Sequence, residues 1–401
     1  MRILHVVTAF PRTPGDVIAP WLVELLKRLK AGGHEVEVFT SAYRGLGDQV
    51  IDGIPVHRFR YWFRGWENLT HEETAPDRMQ RSLLYRVLPI AFVLAGIAAI
   101  WRLCRLRSYD VIHVHWPMPL ALWGRAAQVA CGAPIVTTFY GVELRWVKRA
   151  MPLLKGFVTW AARRSARVVA ISSYTAGQLR ELTDRPVAII PYTTSLPEQP
   201  PGPRLAAARG SFEVLFVGRL VERKGVAVLI DAIAAITARL PLQLTVVGEG
   251  PERPRLEAQV RRLGLERHVR FLGRVPAAAL VDAYSRANAF VLPAIEDARG
   301  GTEGLGVVLL EAMSQRVPVI GSRIGGIVDI VIPGETGLLV PAGDTAALAD
   351  AIVALAEDPT LAGRLAEAGC RHVYEHFTWE SITRQWEAVY RSCLTEAGGA
   401  R

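Results

Sequence analysis

The sequence predicts an α/β protein made of two Rossmann-like, doubly wound domains facing a cleft. Three observations carry that prediction. Short apolar runs alternate with amphipathic stretches through the 401 residues, the pattern of βαβ units on parallel sheets. The alternation breaks at Pro197-Glu198-Gln199-Pro200-Pro201-Gly202-Pro203, a proline run that neither a helix nor a central strand accommodates. Beyond it the same alternation restarts. The predicted divisions are 1–196, a linker over 197–204, 205–378, and a closing segment 379–401.

In chain order, the strands expected in the first half are Ile3–Thr8, Val36–Thr40, Val111–His115, Ile135–Phe139, Val168–Ile171 and Val187–Ile190. Helical patterns at Trp21–Ala31 and Ala176–Leu182 lie between them. The second half reads Val214–Val217, Leu244–Val247, Val269–Leu272, Ala289–Leu292, Val317–Ile320 and Leu338–Val340, with a last helix over Trp379–Cys393. One segment stands apart. Val87 to Trp101 carries no charge and is bracketed by Arg86 and Arg102, with Arg78, Arg81, Arg105 and Arg107 nearby. A spanning helix needs about 20 apolar residues, so two readings stay open: a buried core helix, or a helix in a membrane interface with arginines on lipid phosphates. Tyr61, Trp62, Phe63 and Trp66 just before it favour an exposed apolar patch.

Half the residues are apolar and 21% are charged, which excludes a disordered, collagenous or coiled-coil chain. The four cysteines, Cys104, Cys131, Cys370 and Cys393, form no CxxC pair; that argues against a disulfide scaffold or structural zinc site and for a reducing cytoplasm. Met1–Val7 runs straight into strand-like sequence rather than a leader. Residues 1–200 hold 25 Lys and Arg against 15 Asp and Glu, whereas 201–401 hold 22 against 23. A basic half suits acidic substrates or an anionic membrane surface. Its cations are not interleaved with stacking aromatics, so nucleic acid is not expected as a partner.

Three clusters in the second half carry chemistry. Val217-Gly218-Arg219-Leu220-Val221-Glu222-Arg223-Lys224-Gly225 follows a strand. Its glycine admits close backbone approach, and Arg219 and Lys224 offer charge-assisted hydrogen bonds to a phosphate pair. Glu303-Gly304-Leu305-Gly306-Val307-Val308-Leu309-Leu310-Glu311 reads as a loop entering a helix, whose first amides form an anion site. On one continuous helix the two glutamates would stand about 12 Å apart, too far for an acid/base dyad, so separate roles are expected. Gly321-Ser322-Arg323-Ile324-Gly325-Gly326 and Gly334-Glu335-Thr336-Gly337 fall on the same sheet edge. No GxxxxGK[ST] occurs, and no GxGxxG follows the first strand, which disfavours a P-loop enzyme and a Rossmann dehydrogenase.

These motifs, in this order, resemble the family 4 glycosyltransferases of GT-B fold. The resemblance extends to Gly32-Gly33-His34-Glu35-Val36-Glu37-Val38 and Asp110-Val111-Ile112-His113-Val114-His115, and so covers nearly the whole chain. It implies retaining transfer of a sugar from a nucleoside diphosphate sugar bound by the second domain. The acceptor, a glycan or lipid-linked molecule, would be bound mainly by the first, and the last helix would cross back to the first domain. By the same resemblance Arg219 and Lys224 hold the donor diphosphate and stabilise the leaving group. Glu303 faces the sugar, with the amides of Gly304, Leu305, Gly306 and Val307 around it. Glu311 accepts the ribose hydroxyls, Arg274 and Val275 receive the base, and Gly15 admits the phosphates.

Three departures fall in the first domain. Tyr140 stands where the family often has a histidine near the reaction centre, and its phenol does not titrate near neutral pH. Tyr192-Thr193-Thr194-Ser195 replaces the usual N-G-V-D, and the loop Pro11–Asp16 is thinner in glycine than usual. His113 and His115 share a strand face, a spacing that suits a metal pair or, more simply, buried histidines. With no D-x-D in the chain, metal-independent chemistry is expected, without a cofactor beyond the sugar nucleotide. The expected location is the cytoplasm, with peripheral contact at its membrane face. An epimerase or hydrolase on the same scaffold, or a non-catalytic sugar-nucleotide binder, are the competing readings.

Overall fold

The computed structural model describes residues 1–16, 18–71, 84–149, 152–194 and 210–398. The proline run, Arg78 and Arg81 lie outside them. The chain divides into two compact units: Met1–Ile171 with Thr175–Ile190 and Trp379–Arg401, and Ser172–Tyr174 with Pro191–Thr378. The first unit thus closes at Ile190, before the boundary at 196 taken from the sequence. Pro191–Thr194 pack with the second unit, where Thr194 is tied to Glu311.

The first unit is built on an eight-stranded sheet of order β3-β4-β2-β1-β5-β6-β7-β8. Its strands are β1 (Arg2–Val6), β2 (Glu35–Ser41), β3 (Gln49–Ile51), β4 (Ile54–Phe59), β5 (Val111–His115), β6 (Ile135–Phe139), β7 (Arg167–Ala170) and β8 (Val187–Ile189). All pairings are parallel except β3 with β4. That hairpin was missed from sequence, yet Asp52-Gly53 between apolar flanks is its signal. Both residues take positive φ, 50° and 76°, as a tight I′-type loop requires. Strands β5 and β6 are buried at every position, because helices cover both faces of a parallel sheet. On one face Leu22, Leu25, Leu26 and Leu29 of the helix Pro20–Ala31 share a core with Trp379, Ile382, Trp386, Tyr390 and Cys393. The helix Trp379–Gly398 therefore belongs to the first unit's core.

The apolar segment is longer than the uncharged run suggested: the helix covers Leu84–Leu106, 23 residues. Arginines do not stop a helix, so Arg86, Arg102 and Arg105 lie within it. Among the described residues it is the one helix long and apolar enough to cross a membrane. Leu88, Phe92, Ile100 and Cys104 are buried in the core, while Val87, Ile90, Leu94, Trp101 and Leu106 are exposed. The helix is thus core on one face and bare on the other, so it joins features of both readings.

The second unit has a six-stranded, wholly parallel sheet of order β11-β10-β9-β12-β13-β14. Its strands are β9 (Phe212–Val217), β10 (Leu242–Val247), β11 (Val269–Gly273), β12 (Ala289–Leu292), β13 (Val319–Ser322) and β14 (Leu338–Val340). In chain rank that is 3-2-1-4-5-6, the doubly wound order whose ligands bind where the winding reverses, here between β9 and β12. The first unit reverses between β1 and β5 in the same way.

Candidate active site

In the second unit, the loops after β9 and β12 converge at the reversal. Glu222–Lys224 form a 3₁₀ turn that ends on Gly225 at φ 70°. A Cβ there would lie 1.8 Å from the Pro293 carbonyl oxygen, so only glycine lets the β9 loop press against the chain leaving β12. The turn delivers Lys224 to Glu303, Nζ to Oε2 at 2.5 Å, with both side chains 12% exposed. Arg219 is exposed on the same loop. The expected GG motif holds the Glu303 backbone in place, since Gly326 N–H donates to the Glu303 carbonyl at 3.0 Å. A Cβ on Gly325 would fall 2.0 Å from that same oxygen.

Glu303 lies in the loop, and the helix begins only at Val307, after Gly306 at φ 93°. The two glutamates are therefore not on one continuous helix. The Glu311 carboxylate is largely buried and accepts from Thr194 Oγ1 at 2.8 Å and Tyr284 Oη at 2.9 Å. Burial raises its pKa, against the pull of those two bonds and of the Lys224 charge. Burial, reinforced by Glu303, raises the Tyr192 phenol too. Arg274 and Val275 follow β11, the edge strand two places from β9. Lys224, Glu303 and Glu311 are thus brought together. Arg219 flanks them, and Arg274 and Val275 stand at the sheet's edge. Sequence reasoning missed Tyr284, whose signal was only a tyrosine amid small residues on an amphipathic helix.

In the first unit, Gly15 is exposed in the loop after β1 at φ 79°. Tyr140 closes β6. Its amide donates to Glu143 Oε1 at 2.7 Å, and its ring stacks on Trp116 at 4.3 Å. Glu143 is buried, and desolvation lifts its pKa to about 7 despite backbone amides that favour the anion. The Tyr140 hydroxyl lies 2.8 Å from His115 Nδ1, and His115 Nε2 lies 3.0 Å from His5 Nδ1. His113 bridges Tyr390 Oη and Thr138 Oγ1, each at 2.8 Å. His5 joins the pair seen in the sequence because β1 and β5 pair in register, His5 opposite His113.

The ring nitrogens of these three histidines approach one another closely enough to suggest a metal. The rings of His113 and His115, however, stack 3.9 Å apart at 28°, so their in-plane lone pairs run side by side instead of converging as tetrahedral ligation requires. Burial drives all three pKa values down, that of His5 to about 3. They are neutral imidazoles in a hydrogen-bonded cluster.

Two doubly wound units, one holding a lysine–glutamate pair at its winding reversal, define a GT-B-type enzyme scaffold. The comparisons agree. Residues 203–372 match the family model described as glycosyl transferases group 1, and residues 18–193 match a glycosyl transferase 4-like domain. Phosphatidyl-myo-inositol mannosyltransferase of Mycobacterium leprae (strain TN) is 34% identical over 292 residues, 72% of this chain and 75% of that protein. N-acetyl-alpha-D-glucosaminyl L-malate synthase of Bacillus anthracis is 27% identical over 406 residues, 99% of this chain and 98% of that one. The structure of sucrose-phosphate synthase from Thermosynechococcus elongatus superposes with TM-score 0.76 at 25% identity, covering 98% and 99% of the two chains. The chain belongs to the family 4 glycosyltransferases. It is an enzyme of the hexosyl-transferring class.

Proposed function

We propose that this enzyme transfers a hexosyl group, with retention and without a metal ion, from a nucleoside diphosphate sugar to a lipid-linked or glycolipid acceptor. The observation that carries the reading is the Lys224–Glu303 pair beside exposed Arg219 at the winding reversal of the second unit. Donor binding would turn Lys224 and Arg219 to the diphosphate and leave Glu303 to the sugar hydroxyls. The two cations then match the charge that grows on the departing phosphate, the service a divalent ion performs elsewhere. In a front-face reaction the C1–O bond to the diphosphate breaks as the acceptor oxygen bonds C1 on the same face. The acceptor proton passes to the departing phosphate oxygen, so no protein base is consumed. Glu311, already an acceptor from two hydroxyls, suits the ribose diol.

The acceptor clause rests on two supports. One relative is named for a phosphatidyl-myo-inositol substrate. In this chain the bare face of Leu84–Leu106 sets Val87, Ile90, Leu94 and Trp101 beside Arg86, Arg102 and Arg105, a pairing suited to an anionic bilayer surface.

The test is nucleoside diphosphate release from a panel of sugar nucleotides, with and without acceptor lipid, in chelator. Product of retained anomeric configuration at an undiminished rate is expected, with loss in Lys224→Ala. Inverted product, or a rate abolished by chelator, overturns the corresponding clause. Vesicle flotation on phosphatidylglycerol against phosphatidylcholine tests the membrane clause, which fails if the two bind alike.

A further inference from the structure

The first unit holds a pair of thiols that the proposed reaction does not use. The helices Leu84–Leu106 and Pro117–Cys131 lead into adjacent parallel strands, β5 and β6, so they run side by side in the same direction. They approach closely at Gly96. A Cβ there would fall 2.3 Å from the Trp123 indole, whose Nε1 donates to the Val93 carbonyl at 3.0 Å. From that crossing the same step of eight residues along each helix, about 12 Å of rise, leads to Cys104 on one and Cys131 on the other. Their side chains meet there in a thiol–thiol hydrogen bond, within one apolar cluster of this unit. The sequence shows no CxxC pair, and only the parallel packing of two helices aligns this one.

The two sulfurs are not equivalent. Cys104 is buried and Cys131 half-buried, next to exposed Gly132. As a thiol, Cys131 donates to the Ala127 carbonyl at 3.2 Å. As a thiolate it accepts from the Cys104 S–H and from the amides of Ala133, Tyr109 and its own residue. Those donors hold its pKa below the ordinary thiol range, against the cost of burial. Cys104 is pushed the other way, by its bond to Cys131, by burial and by the Glu37 carboxylate. Its ionisable neighbours on the buried side are Glu37 and Tyr109, joined by a 2.8 Å hydrogen bond. The negative charge of the pair therefore rests on the more exposed sulfur, and the buried sulfur keeps its proton. An accessible thiolate beside a second thiol is the arrangement of a redox-sensing pair.

We propose that Cys131 and Cys104 form a peroxide-sensing pair, in which Cys131 reacts first and Cys104 resolves it as a disulfide tying the helix Leu84–Leu106 to Pro117–Cys131. The Cys131 thiolate attacks one oxygen of hydrogen peroxide. The O–O bond breaks, the sulfur becomes a sulfenic acid, and the departing hydroxide takes a proton from solvent to leave as water. Cys104 then attacks the oxidised sulfur. The S–S bond forms, the S–O bond breaks, and the Cys104 proton leaves with the hydroxide as a second water. Two thiols are oxidised to a disulfide, and the peroxide is reduced to water. This chemistry is independent of the proposed function.

The test treats the whole reduced protein with hydrogen peroxide, alkylates the remaining thiols under denaturing conditions and maps the peptides by mass spectrometry. A Cys104–Cys131 cross-link within one molecule is expected, reversed by dithiothreitol, with Cys370 and Cys393 still alkylated. In Cys104→Ala the reaction should stop at a sulfenic acid on Cys131, captured by dimedone. In Cys131→Ser, Cys104 should remain a thiol. Before oxidation, alkylation of Cys131 should rise with pH at a midpoint below that of an ordinary thiol, about 8.5; a midpoint at or above it overturns the thiolate assignment. The pair is refuted if wild-type Cys131 stays reduced or is oxidised without a cross-link to Cys104. A cross-link only between molecules, or oxidation of Cys104 in Cys131→Ser, refutes it equally.

Discussion

Acid should weaken the first unit through its buried histidines, and for His5 the structure allows the size of the effect to be worked out. Each of His5, His113 and His115 is buried and has its pKa depressed from 6.5. The unfolded chain therefore takes up protons that the native chain refuses. Stability contributed by a depressed group is present above its unfolded pKa and lost as pH falls below it. Between pH 6.5 and 5.0 His5, its pKa lowered to about 3 by burial, loses on the order of 2 kcal/mol, and His113 and His115 add to the loss in the same direction. Glu143 works the other way. Its pKa is raised from 4.5 to about 7, so its contribution is present at low pH and lost as pH rises through 7. Acidification over the same interval returns on the order of 2 kcal/mol. The net expectation is a loss of stability, because three buried histidines act against one glutamate. The assay is urea unfolding followed by tryptophan fluorescence, which isolates this unit because all ten tryptophans fall within its residues. His5→Asn removes one titrating ring and should reduce the loss by on the order of 2 kcal/mol. Stability that stays flat or rises toward pH 5.0, or an unaltered pH dependence in the variant, refutes the reasoning.

Three further outcomes are expected. Gly325→Ala should lower sugar transfer by about tenfold or more, since its methyl drives into the Glu303 carbonyl at a positive φ; steady-state kinetics check this, with circular dichroism to confirm folding. Tyr284→Phe leaves one Glu311 oxygen without its donor, so the second unit should lose about 1–3 kcal/mol and nucleoside diphosphate affinity should fall, both measurable by calorimetry. Trp386→Ala opens a cavity between the helix Trp379–Gly398 and β5, where the indole packs 4.7 Å from the His113 ring. The first unit should lose about 3–5 kcal/mol in the same fluorescence assay.

Periodic signals were legible in the sequence and pairwise ones were not. Strands such as Val111–His115 and Ala289–Leu292 were found to the residue, because fully buried strands read as unbroken apolar runs. The loop Arg219–Lys224 was legible because its cations and flanking glycines, Gly218 and Gly225, stand together in the sequence directly after a strand. The partners of these residues were invisible. His5 joins His115 across 110 positions, and Tyr284 reaches Glu311 across 27; only the register and winding of the sheets bring them together. The β3–β4 hairpin was missed since a three-residue strand has no period to detect. The extent of the helix Leu84–Leu106 was misjudged by treating arginines as ends, although arginine is a good helix former.

The helix Trp379–Gly398 also dictates an order of assembly. Residues Met1–Ile190 leave the ribosome first, but their core lacks Trp379, Ile382, Trp386, Tyr390 and Cys393 until the entire second unit has been translated. At about 5–20 residues per second, the nascent first unit waits on the order of 10–40 seconds with the leucine face of Pro20–Ala31 unsealed. The second unit, by contrast, has nearly all its residues in one uninterrupted stretch. Synthesis therefore completes this enzyme from its later half backward, and the segment made first is the one most in need of chaperone cover.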